Sequence, residues 1–430
     1  MALSRRLALL AFLGAAVVAV AASMWAVVAV ETVLAVAVLV DLGMAGSTRQ
    51  LRLSRGGDRS VRLGEPAQVT LRIANVGRRR VRAEVRDAWP PSAGAGRSRA
   101  GLDIPPGERR SLVTALLPTR RGDRLADRVT VRSYGPLGLA ARQGSHLAPW
   151  RVRVLPPFTS RKHLPSKLAR LRDLDGRTAV LIRGPGTEFD SLREYVPGDD
   201  VRSIDWRATA RAGEVVVRTW RPERDRRVLL VLDTGRSAAG RVGDAPRLDA
   251  AMDAALLLAA LATRAGDRVD FIAYDRVLRA AVQGSRTGEL LADLVEAMAP
   301  LEAQLVEPDW ESIVAEILRR APHRCLVVLL TALDPSPVRH GLLPVLPRLT
   351  RGHRVLLASV ADPRIAEMAA RRGDAAAVYE AAAGARTNLD RQLVVQVLGR
   401  SAVTVVEGSP QELPPLLADG YLAMKAAGLL

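Results

Sequence analysis

Cysteine is almost missing from this chain of 430 residues: Cys325 stands alone, so no internal disulfide can form. It sits in the apolar run CLVVLL and reads as an inert core thiol of a reducing compartment. Lysine occurs only at Lys162, Lys167 and Lys425, and aromatic residues make up 3% of the chain. So few rings leave little for bases to stack on, and nucleic acid is not an expected partner despite a net charge of +18. Histidine is scarce as well, and His146, His163, His323, His340 and His353 form no ligand-spaced set. A phosphate-cradling glycine loop and a hydrolase nucleophile elbow are both absent from the sequence. Together these gaps remove the usual routes to catalysis.

What is present begins with a membrane-like end. Leu7 to Val30 carry no charge, and after Glu31 a second apolar run reaches Val40. That exceeds the roughly 20 residues one helix needs to cross a bilayer. Arg5 and Arg6 precede the segment, and Arg49, Arg52 and Arg55 follow it. Basic residues on both flanks imply two cytoplasmic ends and an even number of crossings, hence a transmembrane hairpin over residues 1–46 with its tip near Trp25 to Glu31. A single span, or a signal peptide cleaved near Ala19 to Ser23, are the alternatives. The expected location is the inner membrane of a bacterium, with the soluble domains cytoplasmic.

Over residues 47–157 the period becomes two. Val69, Leu71 and Ile73 alternate with polar residues, as do Val81, Ala83 and Val85, then Val129 and Val131, then Val152 and Val154. Short half-buried strands with Gly/Pro punctuation read as a β-sandwich whose outward positions are largely arginine. Residues 158–225 read as a linker carrying an unusual charged stretch. Over residues 226–430 strand and helix alternate. Val228 to Asp233 is a continuous apolar run, as in a strand buried on both faces, and RLDAAMDAALLLAALATRAGD follows as a helix ending at Gly266. Further strands are expected in RVDFIAYD, RVLRAAVQ (an edge), CLVVLLT, RVLLASV and AVTVVEG, with helices near Gly288 to Met298 and Trp310 to Arg320. This is an open α/β sheet, whose ligands belong at the carboxyl ends of its strands.

Asp233 ends the first of these strands in LDTGRS, ahead of the hydroxyls of Thr234 and Ser237. Hard divalent cations such as Mg²⁺ favour such oxygens. The loop resembles the metal-ion-dependent adhesion site of von Willebrand factor type A domains, whose first motif reads Asp-x-Ser-x-Ser. Here Gly235 replaces the first Ser, and Ala332 falls where a second strand-end acid would stand, with Asp334 two residues late. Asp233 and Ser237 would therefore form a degenerate metal site, or Asp233 simply caps the turn through backbone N–H groups. No other cofactor is expected.

The charged stretch is REYVPGDDVRSIDWRATARAGE, Arg193 to Glu214. Val196 to Asp200 read as a turn, and Ser203 as the cap of a short helix that presents Trp206. Arg202, Asp205, Arg207 and Arg211 are placed to pair with Arg193, Glu194, Asp199 and Asp200 in a partly buried clasp. The run from Gly186 to Trp220, with Tyr195, Pro197 and Gly198 inside it, resembles the signature of a bacterial family, domain of unknown function 58. That resemblance implies a membrane hairpin, a β-rich domain, this signature and a von Willebrand A-like domain in order. It further implies a non-enzymatic, membrane-anchored scaffold that binds a protein partner, a MoxR-type AAA ATPase, in assembly of envelope or secreted proteins. The alternative is a divalent-metal-dependent ligand-binding domain or enzyme centred on the Asp233 loop.

Overall fold

Apolar alternation becomes strands in the first half of the chain, and continuous apolar runs become buried strands in the second. The computed structural model describes residues 2–96, 98–178, 188–221, 226–284 and 289–430. Gly186 and Thr187 of the signature run, and Gly288 at the start of one expected helix, lie outside the described residues. The chain divides into two units, Met1–Pro157 and Phe158–Leu430.

The first unit begins with two packed helices, Arg5–Ala21 and Met24–Met44. Ser4 caps the first through its hydroxyl, and Ala22 ends it in the left-handed region at φ 44°. Gly14 allows close approach: a Cβ there would sit 2.6 Å from Val30 Cγ1. The second helix, charged only at Glu31 and Asp41, has 21 residues and is long and apolar enough to cross a membrane. Apolar side chains such as Phe12, Val20 and Trp25 point outward.

Two antiparallel sheets stack behind the helices. One carries, in order, Ala2–Leu3, Ala140–His146, Val129–Tyr134, Val81–Asp87 and Arg99–Ile104; the other carries Leu51–Gly57, Ala67–Asn75 and Arg109–Leu116. A third, small sheet joins Ser60–Arg62, Arg151–Leu155 and Gly122–Leu125. Leu71 and Ile73 from one large sheet and Val81, Val85, Val129 and Val131 from the other form a shared core. The expected sandwich is present, with more strands than the four alternations indicated.

One expectation about its arginines fails. Arg55, read as a flanking charge of the membrane segment, has a fully buried side chain paired with Asp87, also fully buried. Asp87 additionally accepts from Thr114 Oγ1 and Trp89 Nε1, both at 3.1 Å. Arg55 donates to the Ala148 carbonyl and lies over the Trp89 ring at 5.5 Å. A buried guanidinium tolerates this site because its charge is met by a carboxylate, a carbonyl and an aromatic face.

The helical pair is tied to the sandwich at both of its ends. Ala2–Leu3 pairs with Ala140–Ala141, and Ser4 N donates to Leu139 O at 3.0 Å. At the other end Asp41 is 0% exposed and accepts four backbone N–H groups, from Leu137, Gly138, Leu139 and Ala140, at 2.7–3.3 Å. Gly135 lies against that carboxylate, where a Cβ would sit 2.1 Å from Asp41 Oδ1.

The second unit is built on a six-stranded sheet. Its order is Leu278–Val282, Arg268–Tyr274, Arg227–Asp233, Leu326–Leu330, Arg354–Val360 and Val403–Gly408, parallel except for the first, antiparallel edge. Leu229, Val231, Val327, Leu329, Val355 and Leu357 face Trp310, Ile313, Leu346 and Leu398 of helices on one side. Helix Arg247–Arg264 covers the other side and is buried almost all round, as its Ala/Leu content requires. The closing helix, Leu413–Ala426, packs on it; Tyr421 Oη donates to Asp267 at 2.5 Å and Lys425 Nζ stands 3.0 Å from the same carboxylate.

Residues 158–178, expected as linker, are part of this unit. Thr159 Oγ1 donates to Asp253 at 2.6 Å, and Ser160 gives the same carboxylate its N–H and its hydroxyl. Helix Leu164–Thr178 then places Lys167 and Arg170 on Asp419 at 2.7 and 2.8 Å. The buried Asp253 carboxylate needs these donors, which is why the segment docks rather than spans.

Candidate functional site

Two places carry the residues singled out by sequence. The first is the signature stretch, which folds as a hairpin of Glu188–Glu194 and Val216–Arg221. Between the strands lie a turn, a single 3₁₀ turn over Val201–Ser203, and helix Trp206–Ala212. Gly198, at φ 111°, supplies the turn after Pro197, and Gly213, at φ 77°, ends the helix with its N–H on Thr209 O.

The acids here serve local geometry. Asp199 accepts Val196 N at 2.9 Å and is gripped by both Arg193 Nη atoms at 2.7 and 2.5 Å. Asp200 caps the 3₁₀ turn through Arg202 N at 3.0 Å. The short helix is capped by Asp205 and not by Ser203: Oδ1 accepts Arg207 N and Ala208 N, both at 3.0 Å. Ser203 instead donates its hydroxyl to Asp200 O at 2.6 Å. Asp205 Oδ2 takes Arg218 Nε at 2.8 Å, a partner outside the expected set. Among the described residues Arg202, Arg207 and Arg211 form no ion pair, and Glu194 contributes its carbonyl, to Arg193 Nη1 at 3.1 Å. The Arg193 hydrogen bonds hold the Asp199 carboxyl below its ordinary range, and the Ala208 N–H followed by Arg218 does the same for Asp205. Both remain ionised at neutral pH.

The clasp was expected to be partly buried. It is open: the side chains of Arg193 and Arg218 are 45% and 47% exposed, so solvent screens both pairs and they fix geometry more than they add stability. Its named contacts all close within residues 193–218. Tyr195 is half-buried, whereas Trp206 is 69% exposed, with Leu192, Val196 and Val201 exposed as well.

The second place is the carboxyl end of strand Arg227–Asp233. Asp233 is buried; Oδ1 accepts Gly235 N at 2.7 Å and Oδ2 accepts Thr331 Oγ1 at 2.6 Å. Burial pushes its pKa up to about 6, helped by the charges of Asp275 and Glu307 and opposed by those two hydrogen bonds. Ser237 lines the same small cavity, with Thr331 and Ala332 across it. Thr234 turns away, its hydroxyl on Asp275 at 3.0 Å. For Asp275 burial pushes the pKa up, yet Arg279, the Arg276 and Val277 N–H groups and Thr234 together bring it below the usual value. Asp334 does not join Asp233 and lies 3.6 Å from Arg247. Sequence reading missed Thr331 and Arg218; a hydroxyl directly after a buried strand was the available signal for the former.

These two places lie in the part of the chain that matches a known family. Residues 191–395 match the family described as "Protein of unknown function DUF58". Uncharacterized proteins of Mycobacterium tuberculosis and Mycobacterium bovis are 29% identical over 205 residues, 45% of this chain. The matched region spans 61% of the length of those relatives. Among solved structures, the CARDB domain of a Pyrococcus furiosus protein covers 24% of this chain at 19% identity, 94% of that domain, with a TM-score of 0.20. An Escherichia coli alpha-2-macroglobulin structure covers 26% of this chain and 17% of its own, at 18% identity and a TM-score of 0.22. The DUF58 match takes in both the signature hairpin from Ser191 onward and the Asp233 loop.

Proposed function

We propose that this chain is a non-catalytic adaptor, anchored by its helical pair at the inner face of a bacterial membrane. Its partner would be a MoxR-type AAA ATPase, bound through the signature hairpin and a von Willebrand A-like α/β domain. The observation that carries the reading is the exposure of large apolar side chains in the hairpin, Trp206 at 69% along with Leu192, Val196 and Val201. Exposed clusters of this kind mark interaction surfaces, and tryptophan is prominent among the residues that dominate binding energy. The neighbouring Asp199, Asp200 and Asp205 carboxylates are committed to caps and arginine pairs, which supports a non-catalytic reading. The A-like label rests on the parallel sheet with Asp233, Gly235 and Ser237 at the end of its central strand.

The membrane part of the reading has its own support. Ala2–Leu3 and Asp41 both bind the same sandwich strand and the loop before it, so the two ends of the helical pair share one side. That arrangement supports two crossings over one. In a Cys325→Ser background, Ser23→Cys should react with an impermeant maleimide from outside intact cells and Glu65→Cys should not. Labelling of both or of neither refutes the hairpin.

For the partner, the intact protein extracted in mild detergent should copurify with a AAA ATPase, and Trp206→Ala should lose it. Absence of any ATPase from the wild-type pull-down sinks the proposal. A divalent-metal site at Asp233 is the second reading, favoured by the oxygens of Asp233, Ser237 and Thr331 at the strand end. The donors fit a hard cation poorly, because both Asp233 oxygens already accept hydrogen bonds and Ala332 offers no second acid. Titration calorimetry with Mg²⁺ and Mn²⁺ decides it, and binding abolished by Asp233→Ala would favour the metal over the adaptor.

A further inference from the structure

Beside the Asp233 cavity, the same end of the sheet opens into a cleft of 260 Å³. Five separate parts of the chain build it, Ile365 of helix Pro363–Ala370 among them. Arg247 opens its helix, Asp334 follows strand Leu326–Leu330, Ser359 lies near the end of strand Arg354–Val360, and Asp390 and Arg391 come from helix Ala375–Arg400. Ser359 is 1% exposed, and among the described residues its hydroxyl has no hydrogen-bond partner. Arg247 Nε is likewise buried and without one. Buried polar groups are nearly always satisfied, so two unsatisfied donors in the wall of one cleft point to something that enters it.

The charges narrow down what enters. Arg247 and Arg391 both line the cleft, and burial followed by the charge of Arg247 lowers the Arg391 pKa. Each guanidinium already rests against a carboxylate of the chain, Arg247 near Asp334 at 3.6 Å and Arg391 on Glu407. The Asp334 contact is long and its side chain 44% exposed, so an incoming carboxylate could replace it. A dianion such as phosphate would meet Asp334 and Asp390 in the same walls. A monoanionic carboxylate carrying its own cation meets no such penalty, since the acids that repel a dianion attract an ammonium group. Asp390 also accepts Arg386 Nε at 3.2 Å.

We infer that this cleft binds a zwitterion of the amino-acid or peptide class. The ligand carboxylate lies between Arg247 and Arg391 and takes the Ser359 hydroxyl, while its ammonium group faces Asp390 and Asp334. The volume is somewhat below that of a drug-sized pocket and suits a ligand of one to three residues. This site does not depend on the ATPase reading.

Titration calorimetry on the full chain in detergent tests it, with pooled free L-amino acids, trialanine, trialanine amide and inorganic phosphate as probes. Either the amino acids or trialanine should bind; the first result identifies a free amino acid as the ligand class, the second a chain end. Trialanine amide should bind at least tenfold more weakly than trialanine where trialanine binds. Arg247→Met and Arg391→Met should each weaken zwitterion binding at least tenfold. Arg391→Lys keeps the charge and should recover part of that loss, with an unfolding temperature near that of the wild type. No binding of any zwitterion, phosphate binding more tightly than all of them, or unchanged affinity in both methionine variants overturns the inference.

Discussion

Asp233→Asn offers the sharpest test of how the strand-end site is built. In the native protein burial pushes this carboxyl up to about 6, against roughly 3.9 in an unfolded chain. A folded pKa above the unfolded one means that the group's contribution is fully present below the unfolded value and is lost as pH rises through the folded value. At about 1.4 kcal/mol per pKa unit the complete loss is about 3 kcal/mol, of which about 2 kcal/mol falls between pH 4.5 and 7.5. Asparagine keeps the shape and an oxygen to accept Gly235 N, and does not titrate. The stability difference between wild type and Asp233→Asn should therefore shift by about 2 kcal/mol toward the variant over that pH interval. Other groups, including the ionised Asp199 and Asp205, cancel in the difference. Urea unfolding at the two pH values, followed by hydrogen exchange in strand Arg227–Asp233, reads the α/β unit alone. A difference independent of pH would refute the buried, cation-free account of Asp233. Repeating the series with Mg²⁺ adds a control, since a bound cation would favour the ionised carboxylate and flatten the wild-type curve.

The other predictions concern the scaffold. Asp87→Ala leaves Arg55 buried and uncompensated, and denaturant unfolding should show a loss of about 3–5 kcal/mol in the sandwich. Asp41→Ala removes the acceptor of four backbone N–H groups, so exchange at Leu137–Ala140 should accelerate and sandwich stability should fall by about 3 kcal/mol. Burial pushes the Cys325 thiol up to about 12, beside His353 Nδ1 at 3.4 Å; a thiol reagent at pH 8 should leave it untouched until urea unfolds the chain. Rapid labelling of the native protein would contradict its place in the core.

The parts legible in advance were those whose cause lies within a few neighbouring residues. Val69, Leu71 and Ile73 alternate because one face of their strand is wet, and Val228 to Leu232 are uninterrupted because both faces of theirs are covered. Helix Arg247–Arg264 was readable from its alanines and leucines and from Gly266 beyond it. Cap identity was less legible: Ser203 and Asp205 are both good caps, and the backbone chose the residue immediately before the helix. Arg55 was misread because nothing local separates it from the surface arginines around it; its partner Asp87 is 32 residues away. Thr331 went unnoticed because it meets Asp233 across 98 residues. The linker reading of residues 158–178 failed for the same reason, since Asp253 lies more than ninety positions downstream.

The sequence by itself determined the apolar helical end, the change of period from two to alternating strand and helix, and the residue types available for chemistry. These follow from side-chain pattern and solvation along the chain, which act over a turn or a strand. Only the tertiary structure decided that Asp41 seals a loop of the sandwich, that Asp233 is buried against Thr331, and that Arg247 and Arg391 share a cleft. Those outcomes depend on which distant backbone segments the packed sheets bring together, and burial then converts that proximity into shifted pKa values and unsatisfied donors. Pattern sets what each segment can form, and packing sets which charges must face one another without water.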